Sequence, residues 1–552
     1  MSKIRIVALG GLDEDGKNLY CVEIDDNILV VNAGLKYPEE SQFGVEMIIP
    51  DFTYLQEHRN NIVGVVVTHA HDDMMDALPN LLRKINLPVY GPKMCHKVLE
   101  HLMTDEEFSK VNFTDVDRNS DFNVGPIKVS SFGLTHATAD AMGIAIDTPD
   151  GQIVIAEQFV IDFDMHDKAF DCDISRIADI GKKGVLCLLM ESKYADHDQF
   201  TSPSHRISGL VKPYFEDAEG RIIVTVYEQN YFRVKEIISL AREFKKTIYF
   251  FDEELRKRMS FLDELGYYSI PRGMEITKEN FNNDIEDIVI LISERGGRIF
   301  DVVNRIATGE DDRIELRESD TVIICSPVVS GTEKKASSME NELYKENVHV
   351  HRLDSRRVLS MHPSAEDMKM ILYLLKPQYF IPVMGEYRNF VSAGNLALAV
   401  GFTPDRVIIL DNGQVAYIKD GKLVSCSNFV DVDDVMVGNE TDKSIKSFVL
   451  KDRETLSTDG VIIIGVAINY NTKEVIAGPD IQSRGVIYVK DSEYIIKNIS
   501  KMTTDLIEEK VATDSYDNMA VRAELRDQVS RYVFRETGKK PMILPAIIEI
   551  NA

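Results

Sequence analysis

The stretch Thr68-His69-Ala70-His71-Asp72-Asp73-Met74 follows an apolar run, residues 62–67, whose length and β-branched side chains predict a buried strand. His69 and His71 are two residues apart, so extended backbone at the end of this strand projects both imidazoles to the same side. Asp73 continues the spacing, and imidazole with carboxylate suits zinc or manganese. A metal-binding loop of this kind is expected to have a further ligand at position 74. The methionine there is a weak partner for a hard divalent ion.

Composition indicates a large globular protein with several domains. The chain has 552 residues, of which 44% are hydrophobic and 28% are charged. Asp and Glu number 90 against 63 Lys and Arg, a net charge of −27, so any nucleic-acid site has to be local or supplied by a partner. Six cysteines without a CxxC pair indicate reduced thiols. The N-terminal residues predict a strand rather than a signal peptide, and no apolar run reaches the ~18 residues of a membrane helix. We therefore expect a cytoplasmic protein without a membrane partner.

The order of strand and helix signals divides the chain into five segments. Residues 1–207 carry many short strands and few long helices, which favours a layered α/β sandwich over a doubly wound sheet. Residues 208–375 alternate strands with helices, as in a parallel α/β unit with right-handed crossovers. Residues 376–445 return to short strands, 446–456 are predicted to be a polar linker, and 457–552 to be a compact α+β domain.

Four positions outside the His69 loop are expected to converge on it. They are Asn32 and Gln158, which each follow a predicted strand, together with His136 and Met384. Glu157 precedes Gln158, and in extended backbone it would point to the opposite face.

Segments in order along the whole chain resemble the ribonuclease J family, whose members are metallo-β-lactamase-fold nucleases with a β-CASP insertion. These segments include Gly10-Gly11, Gly16-Lys17-Asn18, Glu191-Ser192, residues 331–334, residues 376–382, Ser483-Arg484-Gly485 and residues 541–545. The resemblance implies an αββα sandwich formed by residues 1–207 and 376–445, with a β-CASP α/β domain inserted at 208–375. It also implies that residues 457–552 form an oligomerisation domain for dimers or tetramers.

The resemblance further implies a metal site that has lost half of its residues. The family uses an HxHxDH loop, a later His, a bridging Asp and a final His, with a supporting Asp nearby. Metal-ligand residues remain at four matching positions: His69, His71, Asp73 and His136. At four other positions another residue stands where the family has a metal ligand or the supporting Asp: Asn32, Met74, Gln158 and Met384. One metal position therefore keeps three histidines, and the other keeps only Asp73.

The β-CASP motifs are also only partly kept. Glu191 matches the family's acidic motif, and the loop with Ser360, Met361, His362 and Ser364 matches the one that holds the terminal phosphate or backbone of RNA. Met361 stands where a Gly is expected. This weakens the expected phosphate contact, because Gly lets backbone amides approach a phosphate closely.

Two functions remain open at this stage. The first hypothesis is a non-catalytic or weakly active subunit in RNA processing and mRNA decay, assembled with itself and with an active ribonuclease J. The alternative is a 5′-to-3′ exoribonuclease or endoribonuclease that runs on one zinc or manganese ion held by the three histidines. The cofactor is therefore one such ion or none, because the histidines can also persist as packing in a former pocket. The two methionines favour a pocket that has become apolar.

Overall fold

The computed structural model describes residues 2–39, 42–328, 331–354, 356–438, 447–486 and 493–551, with the backbone alone at Ser447. The described part divides into two compact units. The first contains residues 1–36 and 49–434, and the second contains residues 37–48 and 435–552. The predicted boundary at 445/446 lies outside the described residues.

Most of the strands are rich in aliphatic side chains. In chain order the strands are β1 Lys3–Gly10, β2 Leu19–Ile24, β3 Asn27–Val31, β4 Met47–Pro50, β5 Ile62–Val66, β6 Val89–Gly91, β7 Phe113–Asp115, β8 Asp121–Val124, β9 Ile127–Gly133, β10 Met142–Thr148, β11 Gly151–Ala156, β12 Val185–Glu191, β13 Ile222–Tyr227, β14 Thr247–Phe250, β15 Ile288–Glu294, β16 Thr321–Ile324, β17 His349–Arg352, β18 Tyr379–Val383, β19 Gln414–Lys419, β20 Lys422–Phe429, β21 Asp434–Val437, β22 Val461–Asn469, β23 Val475–Arg484 and β24 Met542–Ile550.

The helices connect or cover these strands and are α1 Thr53–Glu57, α2 Asp72–Met75, α3 Leu78–Lys84, α4 Lys93–Leu102, α5 Asp105–Phe108, α6 Ile174–Lys183, α7 Ser208–Asp217, α8 Tyr231–Glu243, α9 Glu253–Glu264, α10 Arg298–Ala307, α11 Glu333–Lys345, α12 Ala365–Leu375, α13 Tyr387–Ala399, α14 Ser447–Thr458, α15 Glu493–Ala512 and α16 Asn518–Thr537.

Two large sheets form the centre of the first unit. One has eight strands in the order β20-β19-β1-β2-β3-β5-β6-β7, and the other has six in the order β18-β12-β11-β10-β9-β8. Their facing side chains make one apolar core. In β11, Ile153 and Ile155 face this core, whereas Val154 and Ala156 belong to the layer that α6, α12 and α13 cover. Alternation of side chains along a strand buried on both faces produces this arrangement. The layered sandwich predicted from the sequence is confirmed.

A parallel sheet is inserted between β12 and β18 of this sandwich. Its order is β14-β15-β13-β16-β17, and every pair is parallel. Crossovers between parallel strands need helices, and α8 to α11 supply them. The predicted alternation of strands and helices in this part of the chain is confirmed.

The second unit has its own core on a three-stranded sheet. β22 pairs antiparallel with β23 and parallel with β24, and α15 and α16 pack on one face through residues such as Ile499 and Leu525. Helix α14 occupies most of the segment predicted as a linker. Its Arg453 donates a 2.7 Å hydrogen bond to the carbonyl oxygen of Phe43, which belongs to the same unit. Within the described ranges, no helix has both the length and the apolar character needed to cross a membrane.

Candidate metal centre and RNA-binding cavity

The metal loop runs from the end of β5 into the short helix α2. His71 is the residue before the helix and has extended backbone, with φ −107° and ψ 150°. The loop packs closely against Gly34, where a Cβ atom would lie 1.6 Å from the carbonyl oxygen of Asp73. Any other residue at this position would push the loop away, so Gly34 is required by this close approach.

Three imidazoles come together at this loop. One ligating atom from each of His69, His71 and His136, here called the histidine trio, lies within 4.8 Å of the others. His136 uses Nδ1 to donate a 2.8 Å hydrogen bond to the carbonyl oxygen of Met361, so its Nε2 is left for a ligand. That Nε2 lies 3.3 Å from Nδ1 of His71. Among the described residues, no other group of His, Cys, Asp and Glu has this geometry.

The trio is neutral at physiological pH. Burial, with a smaller contribution from the neighbouring His71, lowers the pKa of His69 to about 3. Burial also lowers the pKa of His71 to about 4 and holds that of His136 well below its ordinary range. A neutral imidazole keeps the lone pair that binds a metal, so protons do not compete for these nitrogens at pH 7. The donor set therefore fits one divalent cation.

Where the resemblance places a second metal ion, the residues present do not fit a cation. Met74 and Met384 are buried and belong to the apolar core between the two large sheets. Asp73 lies outside the trio, with its Oδ1 3.8 Å from Nδ1 of His71. Burial raises the pKa of the Asp73 carboxyl well above its ordinary range, and Asp72 adds to this effect. One carboxylate beside two thioethers cannot replace the charge that a second dication requires.

The Gln158 side chain connects His69 of the histidine trio with Asp73 by hydrogen bonds. Nε2 of His69 donates to its Oε1 at 2.7 Å, and its own Nε2 donates to Oδ2 of Asp73 at 2.5 Å. We call this arrangement the Gln158 bridge. The backbone N–H of Gln158 donates to Oε2 of Glu191 at 2.8 Å. Both ends of the side chain are therefore paired, and the residue is almost completely buried.

The Asn32 side chain holds the start of the metal loop by hydrogen bonds to Thr68. Its Oδ1 accepts hydrogen bonds from the backbone N–H of Thr68 at 3.0 Å and from the Thr68 hydroxyl at 3.1 Å. Its Nδ2 donates to Oε2 of Glu157 at 2.9 Å. Burial raises the pKa of Glu157 to about 8. Sequence reasoning missed the roles of Thr68 and Glu157. A charged residue directly after the apolar strand β11 was the available signal for a buried polar contact.

Three of the replaced positions have left-handed backbone. The φ angles are 63° at Asn32, 47° at Gln158 and 55° at Met384. Asn tolerates this region, but for most other residues it costs about 1–2 kcal/mol. The packing and hydrogen bonds around these three residues therefore hold them in a conformation that is unfavourable for most side chains.

The residues expected to hold RNA separate into two groups. Ser360 and Ser364 line a cavity of about 690 Å³, which Lys193, Arg356 and Arg388 also line. Lys193 is paired with Asp15 and Arg388 with Glu386, both at 2.8 Å. The cavity therefore contains basic groups, which a phosphate-binding surface requires, but two of them are paired with acidic residues that also line it.

Met361 and His362 do not line this cavity. The Met361 side chain packs with Ala137 and Val160, while its carbonyl oxygen holds His136. His362 uses Nδ1 to donate a 2.6 Å hydrogen bond to Oε1 of Glu191, which is fully buried. These two residues thus connect the 360–364 loop to the metal centre rather than to the cavity.

Comparisons with known proteins agree with this architecture. Residues 219–343 match the family model "Ribonuclease J, beta-CASP domain", and residues 448–550 match "Ribonuclease J C-terminal domain". A protein named "Ribonuclease J 2" from Staphylococcus epidermidis is 29% identical over 549 residues, which cover 99% of this chain and 98% of that protein. A "Ribonuclease J 2" from Staphylococcus aureus is 28% identical with the same coverage.

Two facing sheets with a shared core, interrupted by a parallel sheet, define a metallo-β-lactamase-fold protein with a β-CASP insertion. Together with the matched segments at 219–343 and 448–550 and the full-length relatives, this architecture identifies the chain as a member of the ribonuclease J family.

Proposed function

We propose that this chain is a non-catalytic or weakly active ribonuclease J paralogue that works in RNA processing and mRNA decay with an active ribonuclease J. The observation that carries the proposal is the apolar environment of Met74 and Met384, which stand where the second cation would need ligands. The methionines at both positions take away nitrogen ligands, and the amide at Gln158 takes away the bridging negative charge that would hold the second ion.

Loss of one ion matters because hydrolysis of a phosphodiester by two metals uses ions ~3.5–4 Å apart to stabilise both the attacking and the leaving oxygen. The trio can hold one cation, which would supply a hydroxide nucleophile at neutral pH. Of the positions that the resemblance assigns to the second ion, only Asp73 keeps an ionisable side chain, and its carboxyl is hydrogen-bonded to Gln158. We expect any residual cleavage to be slow.

The cavity that Ser360, Ser364 and Arg356 line supports a role in contact with RNA. A net charge of −27 opposes strong binding by the isolated chain, because Lys and Arg contacts to phosphates supply most nonspecific affinity. An active partner would add the missing basic surface. Assembly with that partner and with itself, in the cytoplasm, is part of this proposal.

The experiment that tests the proposal is an exoribonuclease assay on 5′-monophosphorylated single-stranded RNA with manganese or zinc. The purified chain, an active ribonuclease J and their mixture are compared, and size-exclusion chromatography follows complex formation. We expect almost no cleavage by the chain alone, co-elution of the two proteins and a changed cleavage rate in the mixture. Strong metal-dependent cleavage by the chain alone would contradict the proposal, provided that His71→Ala abolishes it and so excludes a contaminating nuclease.

The neutral, closely spaced trio favours a second candidate, a weak nuclease that uses a single ion. Elemental mass spectrometry of the tag-free protein distinguishes the two. About one zinc or manganese per chain, lost in His71→Ala, would support the single-metal enzyme. No stoichiometric metal would support a subunit without chemistry of its own.

A further inference from the structure

We propose that the β-CASP insertion positions the histidine trio, so that docking of the insertion on the sandwich and binding of a divalent cation favour each other. The insertion is the parallel sheet of β13 to β17 with its helices. Most of the contacts come from residues 228–233, between the end of β13 and the first turn of α8, here called the positioning segment. The inference rests on the proposed single-cation site and adds to it residues that are not ligands.

The positioning segment holds the start of the helix that follows His71. The backbone N–H groups in the first turn of a helix have no partner in the helix backbone. In α2 the N–H of Asp72, the first helical residue, donates a hydrogen bond to Oε1 of Gln229 at 3.2 Å. Gln229 is buried, so water does not compete for this contact. A residue of the insertion therefore stabilises the turn from which the His71 side chain projects.

The end of α2 is also held by the insertion. Nη1 of Arg295, the residue after β15, donates to Oδ2 of Asp76 at 3.3 Å. Nε of the same guanidinium donates at 2.9 Å to Oε2 of Glu228, which belongs to the positioning segment. Asp76 and Glu228 are both buried. The insertion thus contacts this four-residue helix at its first residue and at the residue that follows it.

The positioning segment also contacts the backbone beside His136. The N–H of Phe232 lies in the first turn of α8 and donates to the carbonyl oxygen of Ala137 at 3.1 Å. The Phe232 side chain packs on the small apolar cluster that contains Ala137 and Met361. Because the carbonyl oxygen of Met361 accepts the hydrogen bond from Nδ1 of His136, this packing fixes the group that orients the imidazole.

Arg233 connects the positioning segment to the start of the same loop. Its guanidinium is buried, and Nη2 donates to the carbonyl oxygen of Leu359 at 2.9 Å. Displacement of the segment would therefore move the backbone on both sides of the site. Zinc requires imidazole nitrogens at about 2.0–2.1 Å from one point, so such a shift would weaken binding. By linkage, a cation that binds the docked arrangement more tightly stabilises that arrangement by the same factor.

The first test is zinc titration of the full, EDTA-treated chain by isothermal calorimetry, with thermal unfolding measured in parallel. Gln229→Met keeps the length of the side chain and removes the acceptor for the Asp72 N–H. We expect zinc to bind about tenfold more weakly to this variant. Thr225→Val is the matched control, because Thr225 is a buried residue of β13 whose hydroxyl is 2.8 Å from that of Ser326, also in the insertion. Both variants should unfold at a lower temperature, but Thr225→Val should bind zinc as the parent does.

Hydrogen exchange of the unsubstituted chain, followed by mass spectrometry, tests the linkage if Gln229→Met does not fold. Zinc should slow exchange in peptides that cover residues 228–235 as well as in those that contain the trio. Protection confined to the trio peptides would overturn the inference. Equal or tighter zinc binding by Gln229→Met, an equal loss in both variants, or no zinc binding by the parent would also overturn it. None of these measurements uses nuclease activity or a partner protein, so the proposed function and the positioning role can fail separately.

Discussion

Glu157 gives the chain a pH-dependent stability that one substitution should remove. Its pKa of about 8 in the folded protein compares with an ordinary value of 4.5, because burial and, to a smaller extent, the neighbouring Glu191 raise it against the hydrogen bond from Asn32. In the unfolded chain the group ionises above about pH 4.5, whereas in the folded protein it stays protonated until about pH 8. The free energy of unfolding therefore falls as pH rises between these values and is constant, for this group, outside them.

The magnitude follows from the two pKa values. At 1.36 kcal/mol for each pKa unit, the full cost above pH 8 approaches about 5 kcal/mol, and roughly 2 kcal/mol of it is present at pH 6. Glu157→Gln keeps an oxygen that can accept from Asn32 and carries no charge at any pH. We expect this variant to be more stable than the parent, with an advantage about 3 kcal/mol larger at pH 8.5 than at pH 6.

The assay is thermal and urea unfolding of both proteins in EDTA, in buffers from pH 5.5 to 8.5. Glu310→Gln, at an exposed position, is the control and should show no pH-dependent difference from the parent. If Glu157→Gln is less stable than the parent by the same amount at every pH, then Glu157 is ionised and paired in the folded protein, and the reasoning fails.

Three further outcomes are expected. Met74→Ala should lower the free energy of unfolding by about 2–5 kcal/mol because it empties a fully buried site, whereas Met519→Ala, 72% exposed, should leave the unfolding midpoint unchanged. Arg356→Ala should weaken binding of 5′-phosphorylated RNA in fluorescence anisotropy and reduce the salt dependence of log K by about 0.7; equal binding would exclude this cavity as an RNA site. Combined Met74→His, Gln158→Asp and Met384→His should add about one zinc ion per chain by elemental analysis, because the left-handed backbone at 158 and 384 is already present; unchanged zinc content would refute this.

The parts of the fold that the sequence predicts best are those with strong local patterns. The apolar run before His69 predicts β5, and the alternation of strands and helices between β13 and β17 predicts the parallel sheet. Helix α15 was missed, because its buried positions, such as Ile495 and Ile499, are isoleucines that favour strands as much as helices. The grouping of residues 37–48 with the terminal unit was also missed, since it depends on distant contacts such as that of Arg453 with Phe43.

In the candidate site, too, local sequence patterns predict some side-chain positions and miss those that depend on distant contacts. The spacing of His69 and His71 predicts that they share a side, and the structure places them together with His136. The expectation that Glu157 points away assumed extended backbone. Glu157 continues the core-facing alternation of Ile153 and Ile155 and so reaches Asn32, and the left-handed φ of Gln158 is the departure from extended backbone. Such a conformation is imposed by packing and hydrogen bonds from several strands, which a local pattern does not contain.

The hydrogen bond from His136 to the carbonyl oxygen of Met361 connects the 360–364 loop, which lines the cavity, to the histidine trio. Ser360 and Ser364 of this loop line the cavity, whereas the Met361 carbonyl oxygen fixes the orientation of the His136 imidazole. A shift of the loop by a fraction of an ångström would therefore rotate that imidazole relative to His71 and change the geometry of the histidine trio.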